Sequence, residues 1–152
     1  MPRLTPLAVS LALVAGLISA LPASAADFAK QEDAIKYRQS AFIVMAQHFG
    51  RLGAMATGHA PYDATAAAAN MNIVTQMVKL PWAGFQPGSE GGKSKPEIWK
   101  DPAKFKELQD KFLDNAAKLD AAAKTGKLDD LKAAFGPTGK SCKNCHDEFR
   151  KK

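Results

Sequence analysis

Cysteine is scarce in this chain, with two residues in 152. That excludes a disulfide-framed small domain and a four-cysteine zinc site. No second ligand pair makes up the shortfall, since His48 and His59 lie far from the thiols and not at the three-to-five-residue spacing of a zinc pair. Strand-like alternation is missing as well. A thioredoxin-type dithiol, which needs a βαβ setting, therefore has no context here. Blocks of one charge sign are also lacking: acids and bases alternate, and nothing resembles a nucleic-acid footprint. Arg150-Lys151-Lys152 comes nearest, and cations closing a final helical turn against its dipole explain it better. After residue 25 no apolar run approaches membrane length, so a soluble product with no membrane span is expected. Internal repeats and low-complexity linkers are absent too.

What is present starts with an export signal. Arg3 supplies a positive start, Leu7 to Leu21 is apolar, and Ala23-Ser24-Ala25 fits the small-x-small cleavage rule. Residues 1–25 read as a secretory signal peptide, with cleavage after Ala25 or Ala26. Residues 26–152, 127 in all, then form one domain with a single core. Loss of Arg3 leaves 20 basic against 15 acidic residues, a net charge of +5.

The most specific stretch is Cys142-Lys143-Asn144-Cys145-His146. Cys-x-x-Cys-His is the attachment sequence of a c-type haem. Two thiols three positions apart on a helix share a face, and each can form a thioether to a haem vinyl. His146, i+4 from Cys142, stays on that face and can reach the iron. One covalent haem c per chain, with His146 as its protein ligand, is the expectation. A bare redox pair or local disulfide explains neither the attached histidine nor the export signal. In bacteria this attachment occurs outside the cytoplasm, which points to the periplasm. Two propionates would lower the charge to about +3.

Helical spacing accounts for most of the rest. A first helix is expected from about Gln31 to Thr57, with Ile35, Phe42, Met45, Phe49, Leu52 and Ala56 on one seam. Arg38 interrupts that seam. A cation on an apolar seam needs a partner, and a haem propionate would serve, with Gln39 adding a hydrogen bond. Gly58 and Pro61 end the helix. A second helix is expected from Asp63 to Leu80, capped by Asp63, with Ala67, Met71, Val74 and Val78 inward; alanines 66–69 allow a close helix or subunit contact. A third follows Asp101-Pro102 and carries Phe105, Leu108, Phe112, Ala116, Leu119 and Ala123 inward until Gly126. The fourth, Leu128 to Arg150, puts both thiols on its inner seam, with a kink or break expected at Gly136-Pro137. Residues 81–101 are rich in Pro and Gly, so regular structure is not expected there. Trp82, Phe85 and Trp99 within them need burial and suit the wall of a flat apolar cofactor. Lys93 and Lys95 read first as solvated cations, either of which could also reach a propionate. The fold class expected is all-α, an antiparallel up-down-up-down four-helix bundle.

Function then depends on the iron's other face. Only six residues follow His146, so a downstream methionine ligand is impossible. Upstream candidates are Met45, Met55, Met71, Met77, His48 and His59, each with a plain structural explanation as core filler or turn residue. If none binds, the iron is five-coordinate, high-spin and open to a small ligand.

At this point the chain resembles the cytochrome c′ family, itself a known case of the four-helix architecture. The matching stretches run from Phe28-Ala29-Lys30 through Tyr37-Arg38-Gln39 and His48-Phe49-Gly50-Arg51. They continue through Pro81-Trp82-Ala83-Gly84-Phe85, Pro87-Gly88, Glu90-Gly91-Gly92 and Pro96-Glu97-Ile98-Trp99 to the haem motif with Asp147. The resemblance implies that Cys142 and Cys145 hold the haem and that His146 is the proximal ligand. It places Arg38 and Gln39 at the propionates, Arg150 beside the proximal histidine and Phe42 over the vacant iron face. It also implies a homodimer packed through the first two helices, and binding of NO and CO with poor binding of O2. Phe42 cannot bind iron, and its bulk would crowd a ligand unless the ring swings away. Met45, one turn on, carries the alternative: a Met-ligated, low-spin electron carrier with a periplasmic redox partner. No distal acid–base pair is evident near Phe42, so an enzyme such as a peroxidase or NO reductase is not expected.

Overall fold

Four long helices and one short one carry residues 28–152, which the computed structural model describes. The signal segment and its cleavage site lie outside the described residues. In chain order the helices are α1 (Gln31–Ala56), α2 (Ala64–Met77), α3 (Glu97–Lys100), α4 (Pro102–Lys124) and α5 (Leu128–Phe149). Among the described residues there is no strand, only an isolated bridge between Ser94 and Arg150. No described helix is long and apolar enough to cross a membrane.

The ends follow local chemistry. Asp63 accepts the Ala66 N–H at 2.9 Å and starts α2, and Asp101 accepts the Lys104 N–H at 3.0 Å ahead of Pro102 in α4. Gly58 (φ +78°) and Gly126 (φ +71°) take the left-handed conformation that lets the chain turn after α1 and α4. α1 packs on α2, α2 on α4, α4 on α5 and α5 back on α1, closing the four-helix bundle that the seams predict.

The apolar core fills one half of that bundle. Leu52 near the end of α1, Met71 and Val74 in α2, Leu119 late in α4 and Leu131 early in α5 are each at most 1% exposed. Burying a side chain of this size contributes roughly 1.5–3 kcal/mol. The other half lies between the start of α1, the start of α4, the end of α5 and the long connection.

Two expectations need correction. The connection is not irregular throughout. Pro81–Phe85 forms a 3-10 turn and Glu97–Lys100 a helical turn. Proline at the first position favours the former. The Trp82 indole donates to the Val78 carbonyl at 2.6 Å, and the Trp99 indole donates to the carbonyls of Phe85 and Gln86, both at 3.1 Å. The indoles thus supply hydrogen bonds that Pro and Gly composition does not advertise. α5, moreover, is not broken at Gly136-Pro137 but runs through both. Gly136 lacks the Cβ that crowds a following proline ring, and the Thr138 hydroxyl donates to the Ala134 and Asn115 carbonyls at 2.9 and 3.1 Å, tying the helix to α4.

Candidate cofactor cavity

A cavity of about 630 Å³ occupies the second half of the bundle. That size suits a large organic ligand. α5 lines it with Ser141, Cys142, Cys145, His146, Phe149 and Arg150, so helical spacing places both thiols and the imidazole on one wall. α1 supplies Arg38, Gln39, Phe42, Met45 and Phe49. Phe105, Leu108 and Phe112 come from α4, and Trp82, Phe85, Lys93 and Ser94 from the connection. The walls are mostly apolar and aromatic, with cations at Lys93, Arg38 and Arg150. A flat apolar macrocycle with two acidic arms fits this set.

Burial pushes the thiols of Cys142 and Cys145 up to about 11. Reactive dithiols show the opposite shift, toward thiolate at neutral pH. The environment therefore argues against a redox pair. His146 is held below its ordinary value, by burial first and by the Arg150 charge second, with Asp147 opposing. Its neutral form, the one that ligates a metal, is favoured.

Arg38 is the least expected feature. It is 2% exposed, and its guanidinium donates to backbone carbonyls of the connection. Burial lowers its pKa while the Glu90 charge opposes that. The Nε hydrogen and one Nη2 hydrogen have no protein acceptor among the described residues, so a propionate contact remains open to Arg38 alongside this anchoring role. Lys95 needs a plain correction, because it does not line the cavity. Its ammonium donates to the Asp147 and Glu148 carbonyls at 3.1 and 2.8 Å, satisfying the end of α5. The short pairing between Lys95 and Phe149 and between Lys151 and Lys93 turns that side chain toward the helix end. Trp99 stands behind Phe85, with ring centroids 6.3 Å apart, and is not on the wall.

Of the six upstream candidates for a second iron ligand, Met45 alone lines the cavity. His48 faces Asn70 on α2, Nδ1 to Oδ1 2.9 Å, and His59 meets the Thr57 hydroxyl in the turn. Met55 and Met71 are buried in the apolar core, and Met77 packs against it. Sequence reasoning filed Phe105, Leu108 and Phe112 as core, although they also wall the cavity. Apolar residues facing a cofactor and those facing each other share one spacing, so no sequence signal separates them.

The family model described as Cytochrome C' matches residues 33–150. Cytochrome c' of Alcaligenes xylosoxydans xylosoxydans is 57% identical over 125 residues, covering 82% of this chain and 98% of that protein. Cytochrome c' of Rubrivivax gelatinosus is 52% identical over 128 residues, covering 82% and 99%. The solved nitric oxide complex of a mutant cytochrome c prime from Alcaligenes xylosoxidans matches with a TM-score of 0.80 at 57% identity, over 82% of this chain and 98% of that one. Motif, cavity, bundle and near-complete coverage of these relatives agree: the chain belongs to the cytochrome c′ family.

Proposed function

We propose that this protein carries one covalent haem c on Cys142 and Cys145, with His146 as its iron ligand, and offers the iron's other face to NO and CO while discriminating against O2. Held there, the haem would supply a five-coordinate, high-spin iron able to take a diatomic ligand. The protein decides which ligand profits. Phe42, Ala46 and Phe49 on α1 and Val74 on α2 contribute cavity wall without a hydrogen-bond donor. O2 depends on such a donor for its partial negative charge more than NO or CO does. Phe42 adds bulk, which penalises every ligand on its side and favours NO on the His146 side. Sequestration or transport of NO, rather than turnover, is the role that follows. NO is the first ligand to test, since a relative's mutant has been solved in complex with it.

The observation that carries this reading is the cavity's lining: five of the six candidate second ligands lie elsewhere. Met45 sustains the second reading. It lies on the lining at 7% exposure, and iron ligation by it would make a low-spin electron carrier serving a periplasmic redox partner. Absorption and EPR spectra of the purified holoprotein separate the two. High-spin ferric signals that shift on adding NO support the gas-binding reading. A low-spin methionine signature at rest ends it.

The same reading includes export to the periplasm with loss of residues 1–25 and a homodimer through α1 and α2. Intact mass tests the first, as mature chain plus one haem. Sedimentation equilibrium tests the second.

A further inference from the structure

Arg38 binds the connection at several points along one short segment. Its Nη1 donates to the Gly84 carbonyl at 2.5 Å, the Ser89 carbonyl at 2.7 Å and the Ser89 hydroxyl at 3.2 Å; its Nη2 donates to the Gly91 carbonyl at 3.0 Å. Carbonyls spread over residues 84–91 therefore converge on one cation of α1. The segment also touches α1 closely. A Cβ on Gly84 would stand 2.7 Å from the Ala34 carbonyl oxygen, and one on Gly92 would stand 2.9 Å from Gln39 Nε2. Ser89, midway, is fully buried.

Phe85 lies inside this clamp. The guanidinium carbon of Arg38 sits 4.7 Å from the centre of its ring, a cation–π distance. From there the aromatic chain continues into the cavity: Phe85 to Phe42 is 6.3 Å between centroids, and Phe42 to Trp82 is 5.8 Å. The ring assigned above to the ligand face is thus backed by a residue whose own place depends on Arg38.

We propose that Arg38 is a positioning residue for ligand access: by clamping residues 84–91 onto α1 it holds Phe85 against Phe42 and limits how far the Phe42 ring can swing out of a ligand's path. This rests on the reading that Phe42 crowds the ligand face. The planar fork is essential to it. A lysine keeps the charge but gathers its donors on one nitrogen, so it cannot span from Gly84 and Ser89 across to Gly91 while laying a flat group on Phe85.

The test is a double-mutant cycle on the ferrous holoprotein, read as the CO association rate after flash photolysis. Arg38→Gln accelerates association roughly fivefold, Arg38→Lys accelerates it less, and in the Phe42→Ala background the Arg38→Gln gain vanishes, because both act through one ring. The Ser89 amide, which donates to the Gln86 carbonyl at 3.1 Å, exchanges faster with solvent in Arg38→Gln. A residue serving only a propionate would shift the reduction potential and leave both readouts alone. An unchanged CO rate in Arg38→Gln, or the full gain persisting in Phe42→Ala, overturns the proposal. A silent Phe42→Ala removes the ligand-face reading and this inference with it, a pattern distinct from an active Phe42→Ala beside a silent Arg38→Gln. Should Arg38→Gln fail to fold, Ser89→Ala deletes one partner of the clamp and carries the test: a smaller gain in CO rate supports it, and none overturns it.

Discussion

Phe42 shows how much one side chain decides. It lines the cavity from α1, packed edge-on against Trp82 with centroids 5.8 Å apart. If it crowds a ligand as proposed, replacing it with alanine relieves that without adding a donor, and CO affinity is expected to rise about tenfold, equivalent to ~1.4 kcal/mol. Equilibrium CO titration of the ferrous holoprotein checks this. From α5, His146 is held below its ordinary value, through burial and then through Arg150. A depressed value means the fold prefers neutral imidazole: the stabilisation is present above the ordinary histidine range and is lost as pH falls through the folded value. Arg150→Gln removes the second of the two causes. The acid-side loss of stability should then be complete at a slightly higher pH than in the parent, seen in Tm measured against pH. His146 was legible in the sequence because it belongs to a motif, and Arg38 because it interrupts its seam; Phe42 sits on the seam like any core residue, and its role, like that of Arg150, came only through the family resemblance. The carbonyl partners of Arg38 were not legible, since backbone acceptors carry no residue identity.

The elements depend on close approaches at glycines, and two of these differ in what an added Cβ would meet. At Gly84 an added Cβ would stand 2.7 Å from the backbone oxygen of Ala34, which cannot move without bending α1. At Gly53 it would stand 2.6 Å from the tip of the Phe135 ring, which stacks on Phe49 with centroids 4.5 Å apart and can shift. Gly84→Ala should therefore cost the more, ~2–3 kcal/mol, and Gly53→Ala ~1–2 kcal/mol. Urea denaturation of the two variants side by side tests the order. Helix positions could be anticipated from seams and caps, because Asp63, Asp101, Gly58 and Gly126 act through local chemistry. The turns at 81–85 and 97–100 could not, because they depend on the Trp82 and Trp99 indoles finding carbonyls once the connection is folded over.

At the scale of the molecule the cavity takes the place of core in one half of the bundle, bounded by apolar and aromatic side chains from α1, α4, α5 and the connection. A domain of this size has only about 5–15 kcal/mol of stability in total, so apolar contact between those walls and a bound macrocycle would be a sizeable share of it. If the proposed thioethers hold the haem, replacing both Cys142 and Cys145 by alanine removes that hold, and the cooperative thermal transition seen by near-UV circular dichroism should be lost or fall by tens of degrees. The five ion pairs within α4 and α5, such as Lys106–Asp110 at 2.6 Å, all have exposed lysines and do not offset such a loss.

The sequence alone determined the helical class, the position and kind of the cofactor motif, and Arg38 as a residue to watch, because spacing and motif are local properties of a chain; Phe42 stood out only through the family resemblance. Tertiary structure decided the rest. It removed five possible second ligands from the cavity, kept Met45, turned Lys95 to the end of α5 and set Arg38 on the carbonyls of a segment some fifty residues away. Those outcomes depend on which side chains share a space after the helices close, and separation along the chain holds no record of that.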